Sequence, residues 1–311
     1  MSTADLITPE ALRMLQAVAT EGSLAGAARK LGVVPSALTY RVRQIEDGLD
    51  VLLFDRSARK AVLTDAGREL MNEAERILNE LGALAQRVKR VATGWEPQLT
   101  IAVGGLVSQR TVMELCEKFF ALDPPTQLKI RIENLSGAWE ALESGLADLT
   151  IGTVDEPSGS GQIVSKLLGD VPFVFAVAPH HALAALPEPL RDEVIAQHRA
   201  VAVADSARKG PTITVGLLAG QRVLTVADMQ SKLEAQLRGL GCGFLPQCMA
   251  QPYIDTGRLV VKRTSRPGRV AKLGYGWRAL PRQAPLGKAL AWWIAQLQSP
   301  TTRSALLHIY T

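Results

Sequence analysis

The sequence contains no long apolar run and no export signal. No stretch of its 311 residues approaches the roughly 20 consecutive apolar residues that a membrane-spanning helix requires. The first residues, MSTADLITPEALRM, lack the basic start and the apolar core of a signal peptide. We therefore expect a cytoplasmic protein that is neither exported nor inserted into a membrane.

Cysteine is scarce, with only Cys116, Cys242 and Cys248 in the chain. Three cysteines at these spacings fit neither a disulfide framework nor a paired C-x-x-C metal site. Because disulfides are rare in the cytosol, the sequence predicts three reduced thiols.

Motifs for catalysis and for cofactor binding are missing as well. The sequence has no G-x-S-x-G elbow, no P-loop and no G-x-G-x-x-G, and residues 157–161, PSGSG, are typical of a surface turn. No histidine follows the H-E-x-x-H pattern or another metal-ligand spacing. We therefore predict no catalytic residue, no metal site and no cofactor. The histidines are His180, His181, His198 and His308.

The chain is modestly basic, with a formal charge of +5 at pH 7, which suits nucleic-acid binding without demonstrating it. Residues 256–311 contain no acidic residue, and we interpret their many basic side chains as a solvated or subunit-facing surface rather than an auxiliary DNA contact. A second basic cluster lies near the N-terminus and is of the kind that contacts phosphate. It consists of Arg41, Arg43, Arg56, Arg59 and Lys60.

Residues 23–46, SLAGAARKLGVVPSALTYRVRQIE, have the pattern of two short helices joined by a tight turn. Ser23 is a typical N-cap, and Gly32 is a typical left-handed residue that ends the first helix. Pro35 suits the first turn of the second helix, because the N–H that proline lacks has no intrahelical acceptor there. The pattern predicts a helix-turn-helix.

The second of these helices has an apolar face, formed by Leu38, Val42 and Ile45, and an opposite polar face. Hydroxyls and a guanidinium on one helix face are the groups that read base edges in the major groove. An ordinary amphipathic helix with a solvated polar face is the alternative. The polar face consists of Ser36, Thr39, Tyr40 and Arg43.

Thr64 is placed to cap a long helix that runs to about residue 92, with Asp65 near its N-terminus. Apolar residues recur along it in alternating steps of four and three, which is a heptad seam. At 1.5 Å per residue the helix is on the order of 40 Å long, too long to hide this stripe under a small domain. We expect a partner helix, with burial inside a second domain as the alternative. The stripe consists of Leu70, Ala74, Ile77, Leu81, Leu84, Val88 and Val91.

After residues 94–97 the pattern changes to strands alternating with helices, which is typical of an α/β domain. The length of the chain and its 47% hydrophobic content allow two or three domains. The predicted strands are 99–103, 128–132, 149–151, 171–178, 200–204, 223–226 and 273–277, and the clearest helices are 111–122 and 228–240.

Residues 12–70 resemble the LysR-type transcriptional regulators in five pieces at the spacings of that family. The pieces are a first helix, GSLAGAARKL, PSALTYRVRQIE, LLFDR and LTDAG. Two later pieces, GAWEALESGLADLTIG and AVADSA, are similar to one subgroup of the family, that of the regulator YhaJ. The sequence departs from the common pattern at Val34, where Ser or Thr is usual, at Pro35, where Gln is common, and at Asp50, where Gly is usual.

The resemblance implies a mixed fold with a helix-rich winged helix-turn-helix, a long dimerising linker helix and a two-lobed α/β effector-binding domain like type 2 periplasmic binding proteins. The implied partners are double-stranded DNA with an interrupted inverted repeat, a small anionic or aromatic effector, and further copies of the chain in a homodimer or homotetramer. The implied boundaries are 1–63 for the DNA-binding domain, 64–93 for the linker, 94–311 for the effector domain, 94–168 with 268–311 for lobe I, and 169–267 for lobe II.

The resemblance places base contacts on the second helix and phosphate or minor-groove contacts on the wing that follows it. Solvated hairpin charges are the alternative for the wing residues Arg56 and Arg59. The implied DNA-binding residues are Ser23, Ser36, Thr39, Tyr40, Arg41, Arg43, Arg56 and Arg59.

In the family arrangement the effector lies between the lobes, and residues 104–108 begin a helix whose N–H groups would favour negative charge in the cleft. Ser108 would bind the effector or only cap its helix, and Trp139 would cover an aromatic ligand or belong to the core. The implied effector-binding residues are Gly104, Gly105, Ser108, Ser136, Gly137, Trp139, Thr153, Asp205, Ser206, Ala227 and Asp228.

Three other classes of protein compete with an effector-controlled regulator. A redox-sensing regulator would use Cys242 and Cys248, as some members of the family sense oxidants through a cysteine pair. An enzyme fused to a DNA-binding module would need catalytic motifs, which the sequence lacks. A free-standing solute-binding protein is contradicted by the predicted helix-turn-helix and by the lack of a signal peptide.

Overall fold

Two units of the chain, Met1–Ala85 and Gln86–Thr311, are built around cores of their own in this computed structural model. The first core is formed mainly by helices, and the second by helices packed on a mixed sheet. The structure describes residues 6–55, 61–154, 163–207, 214–279 and 285–308.

Three helices and a short antiparallel hairpin make up most of the first unit. Its core includes Leu15, Leu38, Val42 and Phe54, all of which are almost completely buried. The apolar face predicted for the second helix of the helix-turn-helix therefore lies in this core. The elements are α1 (Pro9–Glu21), α2 (Leu24–Leu31), α3 (Pro35–Leu49), β1 (Phe54–Asp55) and β2 (Val62–Leu63).

Local sequence chemistry fixes the ends of these helices. Ser23 Oγ accepts the N–H of Gly26 at 3.1 Å at the start of α2, and Gly32 ends that helix with a φ of 67°. Val34 cannot cap α3 because its side chain has no polar atom. The same helix ends at Asp50, which adopts a left-handed φ of 52°, the conformation for which Gly is the usual residue.

The long helix α4 (Asp65–Thr93) has 29 residues, and Thr64 caps it by accepting the N–H of Gly67 at 3.0 Å. Its apolar stripe changes character along its length. Ala74 is fully buried, but the exposed fraction rises from 37% at Ile77 to 85% at Val91. The second half of the predicted heptad seam is therefore open to solvent in the single chain.

The second unit alternates strands and helices, as the sequence predicts. Phe119 and Trp293, both fully buried, contribute to its largest apolar core. Its elements are β3 (Gln98–Gly104), α5 (Gln109–Phe120), β4 (Gln127–Glu133), α6 (Gly137–Glu143), β5 (Leu149–Val154), β6 (Ile163–Val177), α7 (Asp192–Ala196), β7 (Ala200–Val203), β8 (Val223–Val226), α8 (Met229–Leu237), β9 (Gly243–Pro246), α9 (Gln247–Asp255), β10 (Val260–Val261), β11 (Arg269–Arg278), α10 (Lys288–Gln298) and α11 (Pro300–Leu307).

Two long strands connect the two lobes of this unit. In lobe I, β3 pairs with β4 and β5 in parallel, and β5 pairs with β11 in antiparallel fashion. The 15-residue strand β6 pairs with β11 along most of its length and then with β9 and β10 in lobe II. A parallel pair, β7 and β8, completes lobe II. Both lobes therefore share β6 and β11, and the cleft between them opens beside these strands.

Some predicted elements differ from the structure. The strand predicted at 171–178 is the second half of β6, which already begins at Ile163, and neither β9 nor β10 was predicted. The chain ends in two helices, α10 and α11, neither of which is among the clearest predicted helices. No described helix combines the length and the apolar character that a membrane crossing needs.

Candidate functional site

The polar face of α3 is exposed, as a recognition helix requires. Ser36 and Arg43 are exposed, and Tyr40 has 65% of its surface open to solvent. Thr39 lies on the same face and is half-buried, and its hydroxyl donates to the carbonyl of Pro35 at 2.9 Å. Three of the four predicted base-reading side chains are thus available to a ligand in the free protein.

The other predicted DNA contacts have different positions. Arg41 is half-buried and donates to Gln44 Oε1 at 3.2 Å, beside the polar face of α3. Ser23 is occupied as the N-cap of α2. The wing residues Arg56 and Arg59 lie outside the described residues.

Glu46 fixes the hairpin to helix α3. Its carboxylate is buried, with 4% of its surface exposed, and Oε1 accepts the backbone N–H groups of Leu53 at 2.9 Å and Phe54 at 3.2 Å. A second contact joins Ala61 N–H to the carbonyl of Gly22 at 2.9 Å. Sequence reasoning missed Glu46, although its position one turn after Val42 on the apolar face of α3 was a signal.

Glu46→Ala is expected to destabilise the hairpin locally. Loss of the carboxylate leaves two buried N–H groups without an acceptor, which costs about 2–4 kcal/mol in all. The hydrogen-exchange rate of the peptide that covers residues 50–55 should rise by the factor that corresponds to this loss of local stability. Asp47→Ala, which removes an exposed carboxylate next to it, should leave the exchange rate unchanged. Equal rates in the two variants would contradict this role of Glu46.

A cavity of about 80 Å³ lies between the two lobes of the second unit. Gly104 and Gly105, at the end of β3, line it from lobe I, as predicted for effector contacts. Its other described lining residues include Phe173 from the shared strand β6, and Val201 and Phe244 from lobe II. The cavity therefore touches both lobes and one of the strands that they share.

Several predicted effector residues instead bond to one another across the mouth of the cleft. Ser136 Oγ donates to Asp205 Oδ2 at 2.5 Å, and Ser206 Oγ donates to Glu133 Oε2 at 2.7 Å. Ser206 Oγ also accepts the N–H of Asn134 at 2.8 Å, and the Asn134 amide donates to the carbonyl of Ala227 at 2.7 Å. We call these six residues the inter-lobe latch. They hold the lobes together at the ends of β4, β7 and β8.

Gly137 allows the latch to close. A Cβ at this position would lie 2.0 Å from Ser206 Oγ and 3.0 Å from the backbone N of Ala207. Since no side chain fits there, glycine is required for the close approach of the two lobes.

Four further predicted effector residues are not among the described lining residues of the cavity. Ser108 is buried and caps α5 by accepting the N–H of Thr111 at 3.3 Å, and Trp139 is a core residue against β11. Asp228 caps α8 by accepting the N–H of Ser231 at 2.7 Å, which lowers the pKa of its carboxyl. Thr153 is fully buried beside Gly274. For Ser108 the structure therefore matches the alternative of a helix cap, and for Trp139 it matches the alternative of a core residue.

Sequence reasoning missed the charged groups of the cavity, Lys232 in α8 and Arg269 in β11. Lys232 is 7% exposed, and its pKa is lowered to about 8, first by burial and then by the positive charge of Arg269. No local pattern marks Lys232, since a lysine in an amphipathic helix normally faces solvent. Arg269 belongs to the basic stretch beyond Asp255, which offered no reason to single it out.

All three cysteines are free thiols, as predicted. Cys242 lines the cavity, and burial raises the pKa of its thiol to about 11. The reactive thiolate is therefore disfavoured at neutral pH, which weakens the case for oxidant sensing by Cys242 and Cys248. Within the described part of the chain, no group of three or more His, Cys, Asp and Glu side chains is arranged to hold a metal ion.

Comparison with known proteins accounts for both units. Residues 9–68 match the family described as "Bacterial regulatory helix-turn-helix protein, lysR family", and residues 92–299 match the "LysR substrate binding domain". YeeY of Escherichia coli K12, an uncharacterized HTH-type transcriptional regulator, is 36% identical over 97% of this chain and 95% of its own length. YhaJ of the same organism, a probable HTH-type transcriptional regulator, is 37% identical over 94% of this chain and 96% of its own length.

A solved structure shares the fold. Full-length CbnR in complex with its target DNA aligns with a TM-score of 0.58 at 18% identity, over 94% of this chain and 99% of that one. The matched families and the relatives are transcriptional regulators rather than enzymes, so the alternative of an enzyme fused to a DNA-binding module is not supported. The chain belongs to the LysR family of DNA-binding transcriptional regulators, with an N-terminal helix-turn-helix and a C-terminal substrate-binding domain.

Proposed function

We propose that the protein binds an interrupted inverted repeat in duplex DNA as a homodimer, two of which join as a tetramer, and that a small effector between the lobes changes this binding. It acts in the cytoplasm, where its target DNA lies. The exposed polar face of α3 supports the DNA contacts, and the open seam of α4 supports pairing of two chains. A two-fold protein matches a two-fold DNA site.

The observation that carries the effector proposal is the cavity lined by both lobes and bordered by the inter-lobe latch. A ligand in such a position contacts both lobes at once, so its binding free energy depends on their relative arrangement. A ligand that favours one arrangement shifts the population toward it. The match to the LysR substrate-binding domain is in accord with this use of the cavity.

Recognition of DNA is divided between specific and non-specific contacts on α3. Tyr40 and Arg43 lie one turn apart on the exposed face, where they reach base edges when the helix enters the major groove. Arg41 lies beside that face, which suits a phosphate contact. Base contacts set sequence preference, whereas phosphate contacts raise affinity for all sequences.

Selection of binding sites from a randomised duplex pool tests this division. Tyr40→Ala is expected to relax preference at the base pairs it contacts by about 1–3 kcal/mol each, because a base contact is lost. Arg41→Ala should weaken all sequences similarly and flatten the salt dependence. Arg110→Ala, which removes an exposed positive charge from α5, serves as the control and should have no effect. Identical changes in preference for Tyr40→Ala and Arg41→Ala would refute the division.

A further inference from the structure

Lys232 is a buried cation without a partner in the part of the chain that the structure describes. The residue is more than nine-tenths buried and lines the cavity between the lobes, and its ammonium has no hydrogen bond or ion pair with any of the described residues. Buried lysines are otherwise almost always paired, because removing an ammonium from water is costly. An anion bound next to this cation would offset the cost of its burial.

A second unsatisfied polar group lies beside Lys232. Gln236, one turn further along α8, is fully buried, and neither atom of its amide has a partner among the described groups. A Cβ placed on Gly243 would lie 3.1 Å from Gln236 Nε2 and 3.4 Å from Lys232 Nζ, so the two groups converge on the same glycine. The carbonyl oxygen of Val201 lies 3.4 Å from the same point, but the Gln236 amide has no partner among the described groups, and a buried amide left in this way marks an incomplete site.

Arg269 adds a second positive charge from the shared strand β11. It lines the same cavity, and its guanidinium carbon lies 5.4 Å from the centre of the Phe173 ring, which holds it in a stacked position. Among the described residues, the other titratable group that acts on Lys232 is Cys242, whose thiol stays protonated at neutral pH. The electrostatic potential inside the cavity is therefore positive, and the two neighbouring cations together attract an anion.

The rest of the cavity is apolar. Its walls include Leu106, Val154, Val203 and Met229 together with the rings of Phe173 and Phe244. Its volume of about 80 Å³ is several times the roughly 15 Å³ that one ordered water needs. Such walls suit a compact hydrocarbon body next to the two cations, rather than a heavily hydrated inorganic ion.

We propose that Lys232 and Arg269 bind the carboxylate of the effector, and that the effector class is a compact organic monoanion with an apolar body. Charge-assisted hydrogen bonds from an ammonium and a guanidinium are among the strongest that a carboxylate accepts. This inference rests on the proposed effector site between the lobes. In this proposal the carboxylate contacts α8 and β11, and not the helix start at residues 104–108 that the family resemblance implied.

Thermal melting of the full-length protein tests the charge requirement. Benzoate and butyrate are compared with their neutral counterparts, benzamide and butyramide, at constant ionic strength. The carboxylates are expected to raise the Tm of the wild-type protein with increasing concentration, because they bind only the folded state. The amides, which share the shape but not the charge, should cause little or no shift. Equal shifts with acids and amides, or no shift with either acid, would overturn the proposal.

Matched variants test which cations bind the carboxylate. Lys232→Met and Arg269→Met keep the side-chain volume close to the original and remove one cation each, so the carboxylate-dependent rise in Tm should be lost in the first and reduced in the second. Lys118→Met, an exposed position on α5, is the same change away from the cavity and should respond like the wild type. A full carboxylate response in Lys232→Met would show that the anion binds elsewhere.

Operator binding separates this inference from the proposed function. If carboxylates raise Tm through Lys232 but leave the affinity for the selected duplex unchanged, the anion site stands and effector control by these acids fails. If a neutral compound changes operator affinity equally in the wild type and in Lys232→Met, effector control stands and the anion site is wrong.

Discussion

Leu81→Asp is expected to convert the protein into a monomer and to weaken operator binding by about 100-fold or more. Leu81 lies in the middle of the heptad stripe of α4 and is 39% exposed in the single chain, as is typical of a residue that a partner helix covers. A carboxylate there would be desolvated without a partner in the paired state, which is costly. A monomer has one DNA-binding domain instead of two linked ones, so it loses the gain in affinity that comes from the high effective concentration of the second domain.

Light scattering and fluorescence anisotropy on the selected duplex measure the two effects together. Asn79→Asp is the matched control, because it adds the same charge two residues away on the opposite side of the heptad. That variant should remain dimeric and bind DNA normally. A monomeric wild-type protein, or a dimeric Leu81→Asp variant, would rule out pairing through α4.

The helix-turn-helix could be predicted in detail because its signals are local. Ser23 and Gly32 act on the backbone within a few residues of themselves, so their roles do not depend on the rest of the fold. Asp50 stands where the family usually has Gly, and its conformation is also decided locally. Its side chain tolerates the left-handed conformation that ends α3. The heptad stripe of α4 was predictable for the same reason.

The first half of β6 was not predictable, because its stability comes from distant pairing. Only Leu168 among residues 163–170 is buried and the segment has no clear alternation, yet it forms a strand beside β11, about 100 positions later in the chain. Glu46 is a similar case. Its place on the apolar face of α3 signals burial, but the helix alone does not show that the N–H groups of the hairpin are its partners, because that depends on where the hairpin folds.

The cleft could be predicted only in part. The family arrangement implied Gly104 and Gly105, because it places the end of the first strand at the cleft, and they do line the cavity. Ser136 and Asp205 were placed at the cleft by the same argument, but how closely the lobes approach decides whether such residues face a ligand or one another. Lys232 escaped prediction because only tertiary packing buries it.

Lys232→Met is expected to raise the free energy of unfolding by about 3 kcal/mol near neutral pH when no ligand is bound. In the wild type, folding lowers the pKa of Lys232 from 10.5 to about 8, so the folded state holds this proton less tightly than the unfolded state does. The difference of about 2.5 pKa units corresponds to about 3 kcal/mol at 1.36 kcal/mol per unit. Methionine fills similar space in apolar surroundings and carries no charge to desolvate.

The sign of the pH dependence follows from the same shift. The cost is fully present below pH 8, where Lys232 is charged in both states, and it disappears as the pH rises from about 8 to 10.5, where the folded state is neutral first. The advantage of Lys232→Met over the wild type should therefore be largest near neutral pH and shrink toward pH 10.5. Ionisation of Cys242 opposes this trend, since its pKa is raised from 9.0 to about 11 on folding.

Comparing the two proteins at each pH removes most of the Cys242 contribution, because both contain that thiol. Urea denaturation of the wild type and of Lys232→Met at several pH values supplies the difference. A variant that is less stable than the wild type near neutral pH would mean that the ammonium already has a favourable partner. The cavity would then need no anion, and the charge of Lys232 would serve the fold rather than a ligand.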